Sequence, residues 1–332
     1  MKRPGRAPGA PCIRRAPLVA VLAASLLCLC IPGGAVAAGA GPSSAAVRAA
    51  LRYWTPARMR AAVPMEVKLP RRPHLGLGAA RPQGAPGAVA ARAAAPPAGA
   101  VSFDQVADSA AEGFRRNGVV FFLVDGVPAR CSGTSVNAPN LSVVFTAGHC
   151  VFGREDRHGW FDRLWVFVPG FRFGQRPFGV FPATQLDATR PWVAEESEDA
   201  DVGAAVVGRN ERGELLGRAV GGDGIAWNQP AKQVFDVHGY PAAPPFDGET
   251  QRLCSQTSFL GHDSLSYLWD GPLNLAVSCN VTGGASGGGW TIAGDKLNSV
   301  TDYTYTLDPA TDYGSYFGEE VARLYRRVAG AR

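Results

Sequence analysis

From Gly118 onward, short apolar runs of four to eight residues recur, each closed by Gly, Pro, Asn or Asp. They are Gly118 to Val124, Ser142 to Phe145, Leu164 to Val168, Val202 to Val207, Gln233 to Val237, Leu273 to Ser278 and Ser299 to Tyr305. Runs of this length, rich in Val, Phe and Tyr and bounded by turn residues, predict β-strands. Helical spacing of apolar positions appears mainly over Asp104 to Arg116 and Gly318 to Arg327; the latter opens with acids and closes with bases, as the helix dipole favours. The pattern predicts an all-β domain of about 230 residues over 101–332, a barrel or sandwich with a C-terminal helix, and no fixed-period repeat.

The N-terminal third has a different pattern. Residues 1–15 carry Lys2, Arg3, Arg6, Arg14 and Arg15 without an acid; Ala16 to Ile31 is almost unbroken apolar sequence, and Ala35-Val36-Ala37 is a small-x-small cleavage signal. The apolar core is shorter than the ~20 residues of a spanning helix, so 1–37 is expected to be a secretory signal peptide and not an anchor. Residues 38–100 are dominated by Ala, Pro, Gly and Arg and are too poor in large apolar residues to offset their ordering cost as an independent domain. They carry a net charge of +8 against −8 for 101–332, so the chain's overall +5 is a basic leader on an acidic body and does not point to nucleic acid. A propeptide held partly by charge is the expectation for 38–100, with the aromatic and basic stretch Leu51 to Arg60 as the part that docks.

Of seven cysteines, Cys12, Cys28 and Cys30 would leave with the leader, and four would enter an oxidising exterior. Three connectivities are open, and chain proximity favours Cys131 with Cys150 and Cys254 with Cys279. Neither a Cys-x-x-Cys pair nor a His-Glu-x-x-His run occurs, so no metal or other cofactor is expected. The acids Glu195 to Asp201 read as a solvated charge run rather than a calcium site.

Ser286 stands in Gly283-Gly284-Ala285-Ser286-Gly287-Gly288-Gly289, where each glycine would cost about 0.5–1 kcal/mol inside a helix or strand. A tight loop follows, able to turn N–H groups toward one point beside an exposed Ser Oγ, the arrangement of a nucleophile with an oxyanion hole. Gly284-Ala285-Ser286-Gly287-Gly288 also fits the Gly-x-Ser-x-Gly elbow of α/β-hydrolases, but that order requires a histidine after the serine, and none follows. Of the five histidines, His149 alone lies between a β-rich run and a half-cystine, where a disulfide would fix a general base. With the base first and the serine last, the acid belongs between them. Asp201 borders the run Val202 to Val207 and would be costly to bury without a donor such as imidazole N–H; Asp199 reads as a surface acid.

Together, Cys131-Ser132-Gly133-Thr134, Thr146-Ala147-Gly148-His149-Cys150, Asp201-Val202-Gly203-Ala204 and Gly284-Ala285-Ser286-Gly287-Gly288 resemble the chymotrypsin-like serine peptidases, secreted bacterial members above all. The likeness spans nearly all of 118–307. It implies two six-stranded antiparallel barrels, His149 and Asp201 from the first and Ser286 from the second. It further implies an oxyanion hole from the N–H groups of Gly284 and Ser286, and acyl transfer to Ser286 with a peptide or protein as substrate. Trp54-Thr55-Pro56 likewise resembles a pro-segment of bacterial secreted peptidases. Ser299-Val300-Thr301 is expected as the edge that an extended substrate joins, Asn280 as the pocket floor, and Thr301 as a side chain that narrows the pocket toward small or medium residues. Ala285 replaces the aspartate of the pancreatic enzymes, so activation by an ion pair there is not expected. The expectations are a secreted, monomeric endopeptidase with no nucleic-acid or membrane partner. An inactive relative serving as a binding module, or an esterase using the same triad, are the alternatives.

Overall fold

The computed structural model describes residues 44–69, 75–76, 81–94, 111–153, 159–161, 164–263 and 273–331. The leader 1–37 with its cleavage site, His74, His158 and residues 104–110 of the predicted helix lie outside them. Six strands form the first barrel: β1 (Asn117–Val124), β2 (Val127–Val136), β3 (Val143–Thr146), β4 (Val166–Pro169), β5 (Phe181–Ala188) and β6 (Gly203–Val207). They pair in the order β2-β1-β4-β5-β6-β3, and β2 closes onto β3. Six more form the second: β7 (Val234–Gly239), β8 (Arg252–Asp263), β9 (Leu275–Ser278), β10 (Gly289–Ile292), β11 (Lys296–Tyr305) and β12 (Asp308–Gly314). Their order is β10-β7-β8-β9-β12-β11, closed by β10 with β11. All pairings within each barrel are antiparallel, and each sheet closes on itself.

The first barrel is filled by Val120, Phe122, Val144, Trp165, Phe167, Phe181 and Leu186; the second by Phe235, Val237, Leu275, Val277 and Trp290. The C-terminal helix, Glu319–Ala329, packs Val321, Leu324 and Val328 against Phe145, Val206 and Val300 from both barrels. Arg327 fixes it with a two-pronged ion pair to Asp187 on β5, Nε–Oδ2 2.8 Å and Nη2–Oδ1 2.9 Å.

Each predicted strand run coincides with an observed strand. The strands that the pattern does not reveal, β2, β5, β8, β10 and β12, carry Pro, Gly, Ser, Thr and Asp instead of continuous apolar residues. β8 is exposed along much of its first half, so no continuous apolar run marks it. The described residues among 44–94 fall in the same compact unit as the barrels. Short helices Ser44–Tyr53 and Pro56–Ala61 seat Ala50, Trp54, Met59 and Ala62 against Val119, Phe121, Val166 and Phe171 on the outside of the first barrel. The indole N–H of Trp54 donates to the Leu164 carbonyl. The segment therefore buries a compact apolar group even though its composition could not support a domain. Further on, Gly87–Val89 adds antiparallel to Gly224–Trp227 beside the second barrel.

Disulfides join Cys131 to Cys150 and Cys254 to Cys279 across sequence separations of 19 and 25 residues. Loops of this size correspond to about 3 kcal/mol each in the chain-entropy model. Replacing Cys254 and Cys279 together by Ser is expected to lower unfolding free energy by about 3 kcal/mol in a urea titration; an unchanged midpoint would exclude a stabilising role for this bridge.

Candidate active site

Strand pairing brings the first two candidate residues together. In the antiparallel register Thr146 at the end of β3 lies opposite Gly203 at the start of β6, so the residues after one and before the other share one end of the barrel. His149 lies on the one-turn 3₁₀ helix Gly148–Cys150, tethered by the Cys131 bridge, and Asp201 follows the turn Glu198–Ala200. Asp201 is fully buried. Its Oδ2 lies 2.6 Å from His149 Nδ1, and its Oδ1 accepts the His149 backbone N–H at 2.8 Å. The carboxylate thus holds both the ring and the backbone of one residue. Gly148 makes this approach possible, because a Cβ there would stand 2.6 Å from the Trp192 ring and 2.7 Å from Asp201 Oδ1. Trp192 packs edge-on to the imidazole, with ring centroids 6.3 Å apart.

Ser286 comes from the second barrel, three residues before β10. Ser132 on β2 holds its loop from across the cleft. The Ser132 N–H donates to the Ser286 carbonyl at 2.7 Å and its hydroxyl to the Gly284 carbonyl at 2.8 Å, while that hydroxyl accepts the Tyr240 N–H at 2.8 Å. On the other side Gly287 N–H donates to Thr301 O, and Thr301 N–H to Gly288 O. Gly284 has φ +94°, a left-handed conformation that a side chain would strain, and its N–H is thereby aimed into the cleft. Ala285 is buried, and its loop is held without any carboxylate at that position.

The cleft is occupied by the chain's own residues. The Met65 carbonyl accepts the Gly284 N–H at 2.7 Å and lies 3.4 Å from the donating Ser286 Oγ. His149 Nε2 has no hydrogen-bond partner among the described residues.

The strand expected as the substrate edge is paired within the barrel, and Asn280 lines a different cavity from the one beside Ser286. Ser299 and Val300 are paired with Trp290 and Gly289 inside the closed barrel, and both backbone groups of Thr301 are taken by Gly287 and Gly288, so Ser299-Val300-Thr301 has no free edge. The free backbone begins beyond them: Thr304 and Thr306 donate to the carbonyls of Val67 and Leu69. The shift follows from β10 ending only four residues before β11, which draws the first half of β11 into barrel closure. Asn280 is exposed and lines a separate cavity of about 140 Å³ with Val237, His238, Phe246 and Arg252. The hollow beside Ser286 is instead formed by Val281, Thr282, Gly283 and Thr301 to Thr304, and only about 10 Å³ of it is open, with Glu66 and Val67 in its mouth. The Thr301 hydroxyl is turned inward, accepting from Trp290 Nε1 at 2.9 Å and donating to Asp312 Oδ2 at 2.7 Å.

The charge run near the site is also not solvated as expected. Asp199 is buried, and its Oδ1 accepts from Ser197 Oγ at 2.6 Å. Burial, then the proximity of Asp201, pushes the Glu198 carboxyl up to about 8. The same two causes hold Asp302, which accepts from Ser315 Oγ at 2.6 Å, well above the usual carboxylate range. Sequence reasoning missed Ser132, Trp192 and Met65. Ser132 adjoins the half-cystine Cys131, but its role depends on a partner 152 residues away.

No protein-family model and no curated protein matches the sequence. Solved structures do. The chain is similar to the protease Anisep from Arthrobacter nicotinovorans, with 32% identity over 65% of this chain and 96% of that one and a TM-score of 0.59. It is also similar to the thermostable serine protease AL20 from an extremophilic microorganism, with 30% identity over 67% of this chain and all of that one (100%) and a TM-score of 0.60. A Glu endopeptidase, at 15% identity and a TM-score of 0.51 over 68% of this chain and 95% of that one, shares the fold. The chain belongs to the chymotrypsin-like serine proteases.

Two measurements check this geometry. Because the folded chain holds a proton on Glu198 that the unfolded chain releases above its ordinary value of 4.5, this group's stabilisation is complete below that pH and is lost as pH rises through about 8. The slope is at most about 1.4 kcal/mol per pH unit. Glu198→Gln is expected to flatten the fall in unfolding free energy between pH 5 and 8, and an unchanged slope would refute the assignment. Ser132→Ala leaves the Gly284 carbonyl and the Tyr240 N–H without their partner, at about 1–3 kcal/mol per buried group. Urea unfolding is expected to register that loss, and Ser132→Thr to recover part of it.

Proposed function

We propose that the protein is an extracellular serine endopeptidase that cleaves peptide bonds through an acyl-enzyme on Ser286. The observation that carries this reading is the Asp201–His149 arrangement, in which one buried carboxylate accepts from Nδ1 and from the backbone N–H of the same histidine. Such a pair fixes the tautomer, leaving Nε2 unprotonated as the base for Ser286, and stabilises the imidazolium once it forms. Serine protease relatives and two disulfides, the latter suited to an oxidising compartment, support the same reading.

Ser286 Oγ attacks the substrate carbonyl carbon while His149 Nε2 takes its proton. The resulting oxyanion is received by the N–H groups of Gly284 and Ser286, a kind of contact worth about 3–4 kcal/mol in the transition state. The imidazolium then protonates the departing amine, and water, activated by the same nitrogen, releases the acyl group. Thr301, braced by Trp290 and Asp312 on the wall of the hollow beside Ser286, suits small or medium side chains before the cleaved bond.

A fluorophosphonate is expected to label Ser286 in the wild-type chain and not in Ser286→Ala. Asp201→Asn is expected to lower kcat by about 10⁴-fold through loss of the correct tautomer. In a peptide library, cleavage after Ala or Val should exceed cleavage after Arg, and the reverse order would overturn the pocket assignment. Absence of labelling in every form would favour a binding module; labelling with ester but no peptide hydrolysis would favour an esterase.

A further inference from the structure

An extended strand of the chain's own N-terminal region crosses the cleft from one barrel to the other. Val63 and Pro64 pair in parallel with Ala129 and Arg130 on β2, and the Met65 N–H donates to the Arg130 carbonyl at 2.9 Å. The Met65 carbonyl then meets Gly284 and Ser286 as described. Lys68 and Leu69 continue in parallel with Thr304 and Tyr305 on β11, where Val67 O and Leu69 O accept from Thr304 and Thr306 at 3.2 and 3.1 Å. Val67 and Leu69 pack against the cluster of Ala276, Tyr303, Tyr305 and Tyr313. Upstream, fully buried Trp54 and Met59 anchor the strand to the first barrel.

We infer that residues 63–69 are an inhibitory partner of the catalytic cleft, bound in the chain direction that the reaction cannot use. The inference rests on the roles of Ser286 and His149 proposed above. Hydrolysis needs the carbonyl oxygen in the hole and the departing nitrogen on the side of His149, which must protonate it. His149 belongs to the β2 side, since Cys150 beside it is bridged to Cys131, the neighbour of Arg130. Met65 turns its own Cα and N–H to that side. The nitrogen of the Met65–Glu66 bond leads away toward Thr304 on β11. A chain running the other way, antiparallel to both edges, would place its nitrogen beside the imidazole; this one places a carbon there.

Two features of the site fit a stalled complex. The Ser286 hydroxyl donates to the Met65 oxygen, although attack would need it aimed at the carbon, and the His149 nitrogen that should accept its proton has no partner among the described residues. Both backbone edges that a substrate strand would use are occupied. Strand direction thus separates inhibitor from substrate in one cleft: the segment gains the hole, the edges and the apolar cluster without offering a bond to cut. Release then requires cleavage outside 63–69, or loss of the anchor.

The test uses full-length chains. Trp54→Ala removes the anchor, and Met65→Pro removes the N–H given to Arg130 while leaving the buried anchor intact; far-UV circular dichroism confirms folding of each. Fluorophosphonate labelling of Ser286 is expected to be at least tenfold faster in either variant than in wild type. A synthetic peptide of residues 44–69, which carries the Trp54 anchor, added to the Trp54→Ala chain should restore inhibition, and mass spectrometry should recover it uncut at Met65–Glu66 while a library substrate is consumed. Equal labelling rates in folded variants and wild type would overturn the inference. Cleavage at Met65–Glu66 that disappears in Ser286→Ala would also overturn it, since that requires the productive direction. Binding of the fluorescent peptide to a Trp54→Ala, Ser286→Ala chain is read by anisotropy and needs no activity. Binding there supports the strap even if the peptidase reading fails, and its absence overturns the strap even if that reading stands.

Discussion

The site depends on one serine that is not among the reacting groups. Ser132 belongs to the first barrel, yet its amide and hydroxyl hold the carbonyls of Ser286 and Gly284 in the second, and its oxygen receives Tyr240 N–H. A hydroxyl rotates to serve as donor and acceptor at once, so one small side chain satisfies two chain segments in a buried place, at Gly284 and at Tyr240. Because a misplacement of about 1 Å can cost on the order of 10²-fold in rate, a cross-cleft clamp of this kind would fix Ser286 relative to His149 in the reaction proposed above.

The acids show a second constraint. Asp201 lies close to Glu198 and Asp302, and burial with mutual repulsion keeps the latter two above the ordinary carboxylate range. The carboxylate that receives donors from His149 is therefore flanked by groups that resist ionisation. The fold concentrates acid at the site and lets hydrogen-bond supply decide which one serves the histidine.

The N-terminal segment shows how direction can matter as much as contact. An extended strand can add to a sheet edge in either sense, with comparable hydrogen bonding and apolar burial. Catalysis is less tolerant, because the carbonyl has a carbon on one side and a nitrogen on the other. A segment running from the first barrel to the second uses the binding capacity of the cleft against its chemistry, and its anchor is the aromatic patch around Trp54 that stands out in an otherwise low-complexity stretch.

Much of the architecture was legible in the chain. Apolar runs marked seven strands, the charge-polarised periodicity marked the last helix, and residue order around His149, Asp201 and Ser286 excluded the hydrolase elbow. These features are local, or are set by order alone, and so survive in one dimension. What the sequence could not decide were the places where two distant segments compete for the same backbone groups. Barrel closure consumed the edge expected at Ser299 to Thr301 and moved the open one to Thr304; the pocket formed at Val281 to Gly283 and left Asn280 on another cavity; Asp199 was buried by packing that no charge run discloses. The direction of Met65 through the cleft belongs to the same class, because strand sense relative to a partner is a property of tertiary pairing and leaves no trace in the order of side chains.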